Sequence, residues 1–235
     1  MKKNLNQKLI NLIEYYNLAN VNLFLSEEAL KRNSNGLKKS SFSRNKLEEL
    51  EKLKIKIQHI KNCDLKKNAN NLVFGDGNTD SKIMIIGEGP GAQEDIEGKP
   101  FVGRAGKLLD KMLSAIRLDR SKVYISNVVN YRPPSNRRPT ETEILRYLPY
   151  LQNHIEIINP KILVLLGSTA LNTLIGNEVV ISKARGKWIQ KDIGVAKPWV
   201  IASFHPAFLM RQPEQKKFAW QDLKMIREKI KILKI

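Results

Sequence analysis

Four short apolar runs, all after residue 80, limit the fold of this chain more than any other feature. They are IMIIG at 83–87, VYISN at 123–127, ILVLL at 162–166 and PWVIAS at 198–203. Each is too short for a buried helix, and none alternates strictly between polar and apolar, so each reads as a strand covered on both faces. Stretches with helical spacing lie between and after them, at 104–116, 140–158, 168–175 and 214–232. Strands alternating with helices predict a parallel sheet clothed on both sides. The expected fold class is α/β: a three-layer α/β/α arrangement on a central four-stranded, mainly parallel sheet, with an N-terminal helical extension. A chain of 235 residues is long enough for one such domain and a small addition.

The N-terminal part reads differently. Leu9, Ile10, Ile13, Tyr16, Leu18, Val21, Leu23, Leu25 and Leu30 recur at helical spacing and predict one or two helices within 5–32. RNSNGLKKSSFS at 32–43 has the composition of a linker. Ser43 is a candidate cap for a basic helix over 44–60, with Leu47, Leu50, Leu53, Ile57 and Ile60 along one face. The expected division is a helical extension over 1–62 and an α/β domain over 63–235. Short helices need a packing partner, so the N-terminal helices are expected to lie on the main domain or to contact another protein.

Charge narrows the function. There are 41 Lys and Arg against 23 Asp and Glu, a formal net charge of +18. Such a field favours polyanions such as DNA, RNA or acidic membrane surfaces, the plain alternative being a solvated basic surface. Cys63 is the single cysteine, which excludes an intrachain disulfide framework and argues against a thiolate metal site. Lone cysteine use fits a reducing compartment, and a cytoplasmic location is expected. The first twenty residues lack the apolar core and cleavage site of a secretory signal. No apolar run approaches membrane-spanning length, so no membrane partner is expected. The chain is expected to be a monomer.

Ligands of parallel sheets bind beyond the carboxyl ends of the strands. In this chain those ends are Gly87–Pro90, 127–134, Gly167 and 204–206. Gly87, Gly89 and Ala92 match a dinucleotide-binding spacing, yet Pro90 interrupts the turn and Glu94 with Asp95 would repel a pyrophosphate. No acid stands at the usual interval beyond, and no GK[ST] follows, so a nucleotide cofactor is not expected. The carboxylates Glu88 and Glu94 suit water or a polar ligand, or simply the capping of their own loop. Asn127, at a strand end, presents a donor and an acceptor suited to one edge of a base. Arg132, Asn136, Arg137 and Arg138 follow among prolines, which stiffen a loop, and arginines suit phosphates. His205 follows the last strand and precedes Pro206. Phe208, Leu209 and Met210 then form an apolar tip beside Arg211, Lys216 and Lys217. An apolar wedge flanked by cations can enter a base stack, although Phe208 and Leu209 are equally suited to core packing. Together these residues make a base-sized pocket with a basic rim, the inventory for extracting a base and acting on it.

The same residues resemble a known family. GEGPGAQEDIEGKPFVGRAGKLLDKML and SFHPAFLMRQPEQK are similar to the first and second motifs of the iron–sulfur, or family-four, uracil-DNA glycosylases, and NVVNYRPPSNRRPT is similar to the segment between them. The resemblance runs from about residue 63 to residue 230. It implies hydrolysis of the N-glycosidic bond of deoxyuridine in DNA. It implies that Glu88 and Gly89 shape the uracil pocket and that Glu94 belongs to an acidic run able to position water. Phe101 would stack on the flipped uracil, Asn127 would read its Watson–Crick edge and Asn136 would support them. His205 would donate to the uracil oxygen as negative charge develops. Arg132 and Arg137 would meet phosphates, and Leu209 and Arg211 would fill or flank the vacated stack. The resemblance also implies four cysteines holding a four-iron cluster, and the matching positions carry Ile60, Cys63, Tyr131 and Tyr147. One thiolate cannot hold such a cluster. The expectation is therefore no cofactor, and a small apolar core in its place joining the 44–63 segment to the RPP loop. Two other readings compete with an active glycosylase: a DNA-binding protein of the same fold without that activity, and an enzyme that acts on another base or traps it covalently. Gly89 favours ordinary hydrolysis over the last.

Overall fold

The structure is a computed structural model and describes residues 46–176 and 178–235. The helices expected within 5–32, the linker at 32–43 and the Ser43 cap lie outside the described residues. The described chain begins with α1 (Lys46–Gln58) and α2 (Asp64–Asn68), followed by β1 (Asp76–Gly77), β2 (Ile83–Gly87), α3 (Ala92–Glu97) and α4 (Arg104–Ser114). Then come β3 (Tyr124–Asn127), α5 (Glu141–Ile158), β4 (Ile162–Leu166), α6 (Ser168–Leu174) and α7 (Ile181–Ala184). The chain ends with β5 (Trp188–Gln190), β6 (Trp199–Ser203), α8 (Pro206–Arg211) and α9 (Lys216–Leu233).

Among the described residues the sheet has six strands in the order β1-β3-β2-β4-β6-β5. The four central strands are parallel and are the four apolar runs of the sequence. The expectation of four strands is corrected by β1 and β5, which pair antiparallel at the two edges. Both are two or three residues long, with no apolar run to mark them.

Alternate side chains of the central strands point to opposite faces and divide the interior in two. Met84, Ile86, Leu163, Leu165, Val200 and Ala202 pack towards α1, α5 and α6. Ile83, Ile85, Ile162, Val164, Leu166 and Ile201 pack towards α4 and α9. Each fully buried Leu or Ile contributes roughly 1.5–3 kcal/mol of transfer free energy, so this double burial fixes the strand register and hence the positions of the strand ends.

The first helix belongs to this body. Leu50, Leu53 and Ile57 are buried, at i, i+3 and i+7, and share a core with Tyr147, Leu151 and Ile155 of α5. α1 thus falls in the same compact unit as the sheet. The apolar stripe of α1 is what draws it in.

Candidate active site at the carboxyl ends of the strands

The carboxyl ends of β2, β3 and β6 converge on a cavity of about 180 Å³. This is smaller than the roughly 300–1,000 Å³ of pockets built for drug-sized ligands, and suits one small ring. Its wall includes Glu88, Gly89, Glu94, Phe101, Asn127, Asn136, Arg137 and His205.

The floor depends on Gly87, which stands level with Asn127 in the β2–β3 ladder. A Cβ at position 87 would lie 2.5 Å from both the Asn127 Oδ1 and the Phe101 Cζ. Only glycine allows amide and ring to close on the strand end. Asn127 is 3% exposed, and among the described residues its side-chain amide makes no hydrogen bond within the protein. The residue lines the cavity, so its amide is left open to whatever occupies that space. Phe101 is buried with φ +54°. A large side chain in that left-handed region costs roughly 1–2 kcal/mol, so its surroundings must hold it there.

His205 is the N-cap of α8, and its Nδ1 accepts the Ala207 N–H at 3.2 Å. With Nδ1 an acceptor, the neutral ring carries its proton on Nε2. Burial pushes the imidazole down to about 4, against the Glu88 carboxylate, which pulls it up. At neutral pH His205 is therefore an uncharged donor. Its ring centroid lies 5.5 Å from that of Phe101. Behind it, Ser203 Oγ donates to Asp222 at 2.7 Å, and Arg185 Nε donates to the same carboxylate at 3.0 Å, which ties the end of β6 to α9.

The two carboxylates have different surroundings. Glu94 accepts the Gly91 N–H at 3.1 Å on one oxygen and the Gly103 N–H at 2.8 Å on the other. It straps together the two glycine turns that carry Pro90 and Phe101, which is loop capping. The neighbouring Asp95 is buried and anchors the chain at Asn70, whose backbone N–H it accepts at 2.9 Å. Glu88 accepts a short hydrogen bond from the Thr169 hydroxyl and lies 3.6 Å from Arg138 Nε. Arg138 also donates to Ser168 and Thr169 hydroxyls at 2.9 and 3.0 Å.

The RPP loop is organised by α5. Thr140 caps the helix and Glu143 closes the capping box, its Oε2 accepting the Thr140 N–H at 2.7 Å. Glu143 also receives both arms of the Arg137 guanidinium, at 2.8 and 2.6 Å. Arg132 Nε donates to Asn136 Oδ1 at 2.8 Å. The structure thus brings Glu88, Gly89, Glu94, Phe101, Asn127, Asn136, Arg137 and His205 to one cavity, with Arg211 exposed at the end of α8. Leu209 departs from expectation. It is 1% exposed, inside the core between β6, α4 and α9, so it does not reach a base stack. One turn of helix over PAFLMR turns Leu209 inward and leaves Phe208 and Met210 half-buried. Thr169 and Arg138 line a neighbouring cavity and reach this one only through Glu88, and sequence reasoning missed Thr169. Gly167, with φ +92° at the end of β4, was the available signal for the first.

The positions matched to cluster cysteines hold no such ligand set. Cys63, Tyr131 and Tyr147 are 5%, 5% and 0% exposed and share one core with Leu53 and Ile57, and Ile60 packs against it. The Cys63 sulfur and the Tyr147 hydroxyl stand 3.3 Å apart. Among the described residues no group of three or more His, Cys, Asp or Glu side chains is placed to hold a metal ion. Cys63 offers one thiolate and Ile60, Tyr131 and Tyr147 offer none, so the residues at these four positions do not fit an iron–sulfur cluster.

Comparison with known proteins accords with this geometry. Residues 74–224 match the model of the uracil DNA glycosylase superfamily. The chain is 44% identical over 172 residues to a type-4 uracil-DNA glycosylase of Thermotoga maritima, covering 72% of this chain and 88% of that one. It is 42% identical over 190 residues to the type-4 enzyme of Sulfurisphaera tokodaii, covering 77% and 85%. It is 39% identical over 186 residues to that of Archaeoglobus fulgidus, covering 77% and 94%. A parallel sheet whose strand ends gather an open amide, an aromatic ring and a neutral imidazole, in a sequence this similar to those glycosylases, has one family assignment: the chain belongs to the uracil-DNA glycosylase superfamily, on its type-4 branch.

Proposed function

We propose that this protein is a DNA-repair glycosylase that flips uracil out of DNA and hydrolyses its N-glycosidic bond, leaving an abasic site. One observation carries the reading of the site. A buried Asn127 amide without a protein partner and a His205 imidazole with only Nε2–H to offer face one small cavity beside the Phe101 ring.

Uracil extruded from the stack lies against Phe101, and its Watson–Crick edge meets the Asn127 amide, donor to acceptor and acceptor to donor. As the C1′–N1 bond breaks, its electron pair remains on uracil and negative charge spreads to the ring oxygens. The Nε2–H of His205 meets that charge where it forms. A fixed donor of this kind is worth about 10²- to 10³-fold in rate. Water adds to the electron-poor C1′ and loses a proton, which ends on the solvent or the departing base. Glu88 is the carboxylate we assign to holding that water. Glu94, with both oxygens on backbone N–H groups, is a positioning residue that fixes the loops.

The chain performs this without an iron–sulfur cluster, since the four matched positions are packed with Ile60, Cys63, Tyr131 and Tyr147. Phosphates are met by Arg132, Arg137, Arg138 and Arg211 around the cavity. Their affinity for DNA is salt-dependent. Met210, beside Arg211, replaces Leu209 as the apolar residue facing the duplex. Among the described residues no helix is long and apolar enough to cross a membrane.

The test is direct. Uracil-containing single-stranded and duplex DNA are incubated with the protein, abasic sites are cleaved with alkali, and strands are resolved on a denaturing gel. Scission at uracil is expected. Binding without scission would instead make this a DNA-binding member of the fold, and a stable protein–DNA adduct would make it a base-trapping one. Full activity in both Asn127→Ala and His205→Ala would overturn the site assignment.

A further inference from the structure

We propose that Arg120, which does not line the cavity, is the residue that positions the Phe101 platform, so that stacking of the extruded base depends on a guanidinium outside the pocket. The inference rests on the glycosylase reading and adds to it a positioning residue.

The guanidinium of Arg120 joins four acceptors from three parts of the chain. Its Nε donates to Asp110 Oδ1 of α4 at 2.9 Å. One terminal nitrogen donates to Asp76 Oδ2 of β1 at 2.8 Å and to the Pro100 carbonyl at 3.0 Å. The other donates to the Phe101 carbonyl through a short hydrogen bond. Arginine alone has a planar fork able to serve this many acceptors at once. The two aspartates fix the fork, and the fork fixes the carbonyl of the 100–101 peptide and that of the next.

That peptide needs fixing. Phe101 is non-glycine at φ +54°, a conformation that persists only where the surroundings impose it. Its carbonyl lies so close to Gly106 that a Cβ there would stand 1.7 Å from the oxygen, so the loop is pressed against the first turn of α4 on one side and drawn to Arg120 on the other. The ring then falls against Gly87 and beside His205. The arrangement also gives the two-residue strand β1 a purpose. Its pairing of Asp76 with Ile125 brings a carboxylate to Arg120.

The experiment is a double-mutant cycle read by single-turnover cleavage of a uracil-containing strand, with Kd for DNA and thermal unfolding measured alongside. Arg120→Met is expected to lower the cleavage rate by roughly 10- to 100-fold, the scale of a misplacement of about 1 Å, with Kd unchanged within about twofold. Arg120→Lys, which keeps charge but loses the fork, falls between. Phe101→Ala also slows cleavage, and adding Arg120→Met to it costs nothing more, because the guanidinium acts through the ring. The proposal is overturned if Arg120→Met cleaves within twofold of the parent, or if the two losses multiply. If Arg120→Met does not fold, Arg120→Lys carries the same cycle. Should the parent itself fail to cleave, the glycosylase reading falls and this one is still decided. In protein with labelled phenylalanines, Arg120→Met must shift the ring resonances of Phe101 while those of Phe204 and Phe218 stay in place, and an unmoved Phe101 signal refutes it.

Discussion

The base pocket and the Cys63–Tyr147 region are both built where loops meet the sheet, and they spend their polar groups in opposite ways. In the pocket, groups that hold the walls are saturated by backbone, as Glu94 is by Gly91 and Gly103, and groups that face the cavity are left open, as the Asn127 amide is. In the Cys63–Tyr147 region the polar atoms turn inward and meet each other, with Sγ and hydroxyl 3.3 Å apart amid aliphatic side chains. The first region is organised for a visitor and the second for packing. The hydrogen bonds of the pocket's lining side chains run to backbone atoms and to side chains such as Glu143 of α5 and Thr169 of α6, and among the described residues none of them has Tyr131 or Tyr147 as a partner. Chemistry and stability should therefore respond to different substitutions.

The strongest way to break that separation is Tyr147→Ala. Removing a fully buried ring leaves a cavity and should cost about 3–5 kcal/mol of stability, seen as a large drop in the denaturant midpoint. Cleavage per folded molecule should stay near the parent. Loss of activity in the folded variant would show that the packed region controls the pocket. His205→Ala should do the reverse. Its rate should fall by about 10²- to 10³-fold, equivalent to about 3–4 kcal/mol, while DNA affinity and unfolding temperature change little. A variant that kept its rate would remove the imidazole from the mechanism. Glu94→Gln lies between the two. One oxygen becomes a donor and one backbone N–H loses a charged acceptor, a bond worth about 1.5–3 kcal/mol. Stability and single-turnover rate should fall together, and a fall in rate alone would give Glu94 a direct part in the chemistry.

How much of this was legible in sequence follows the same division. The runs at 83–87 and 162–166 are strands with those bounds in the structure, because continuous apolar sequence in a doubly covered sheet is decided locally. Asn127 and His205 were visible because they end such runs. Leu209 was misplaced because three successive apolar residues, Phe208, Leu209 and Met210, give no direction until a helix of six residues sets one. Arg120 gave no signal at all. Its acceptors stand 10 to 44 residues away in sequence, and only the edge strand β1 brings the most distant of them near. Sequence shows where strands end. It does not show which charged group those ends will lean on.

Acid offers a finer probe, since each region has near it an imidazole held below its ordinary pKa. Burial pushes His154 down to about 3 and His205 to about 4. An unfolded histidine binds its proton near pH 6.5, so the unfolded state takes up protons that the folded state refuses. Stability is complete above about pH 6.5 and is lost as the pH falls towards 4. Each such histidine contributes a slope of about 1.4 kcal/mol per pH unit. His154→Gln should flatten the pH dependence between pH 6 and 4 by that amount in urea unfolding, and an unchanged slope would mean that His154 titrates freely in the folded protein.

The smallest expected effect tests the contact at the centre of the packed region. Burial first, and then the hydrogen bond to Cys63, raises the Tyr147 hydroxyl above its ordinary value, and among the described residues the hydroxyl's hydrogen-bond partner is the Cys63 thiol. Sulfur is a weak donor and acceptor, which sets the bond at or below the usual net of about 1 kcal/mol. Tyr147→Phe removes the oxygen and keeps the ring, and should lower the unfolding temperature by no more than about 2–4 °C, with cleavage unchanged. A larger loss of stability would make the thiol–phenol contact a strong polar anchor. A loss of cleavage at full stability would show that this oxygen reaches the RPP loop and, through Pro133 and Asn136, the wall of the base pocket.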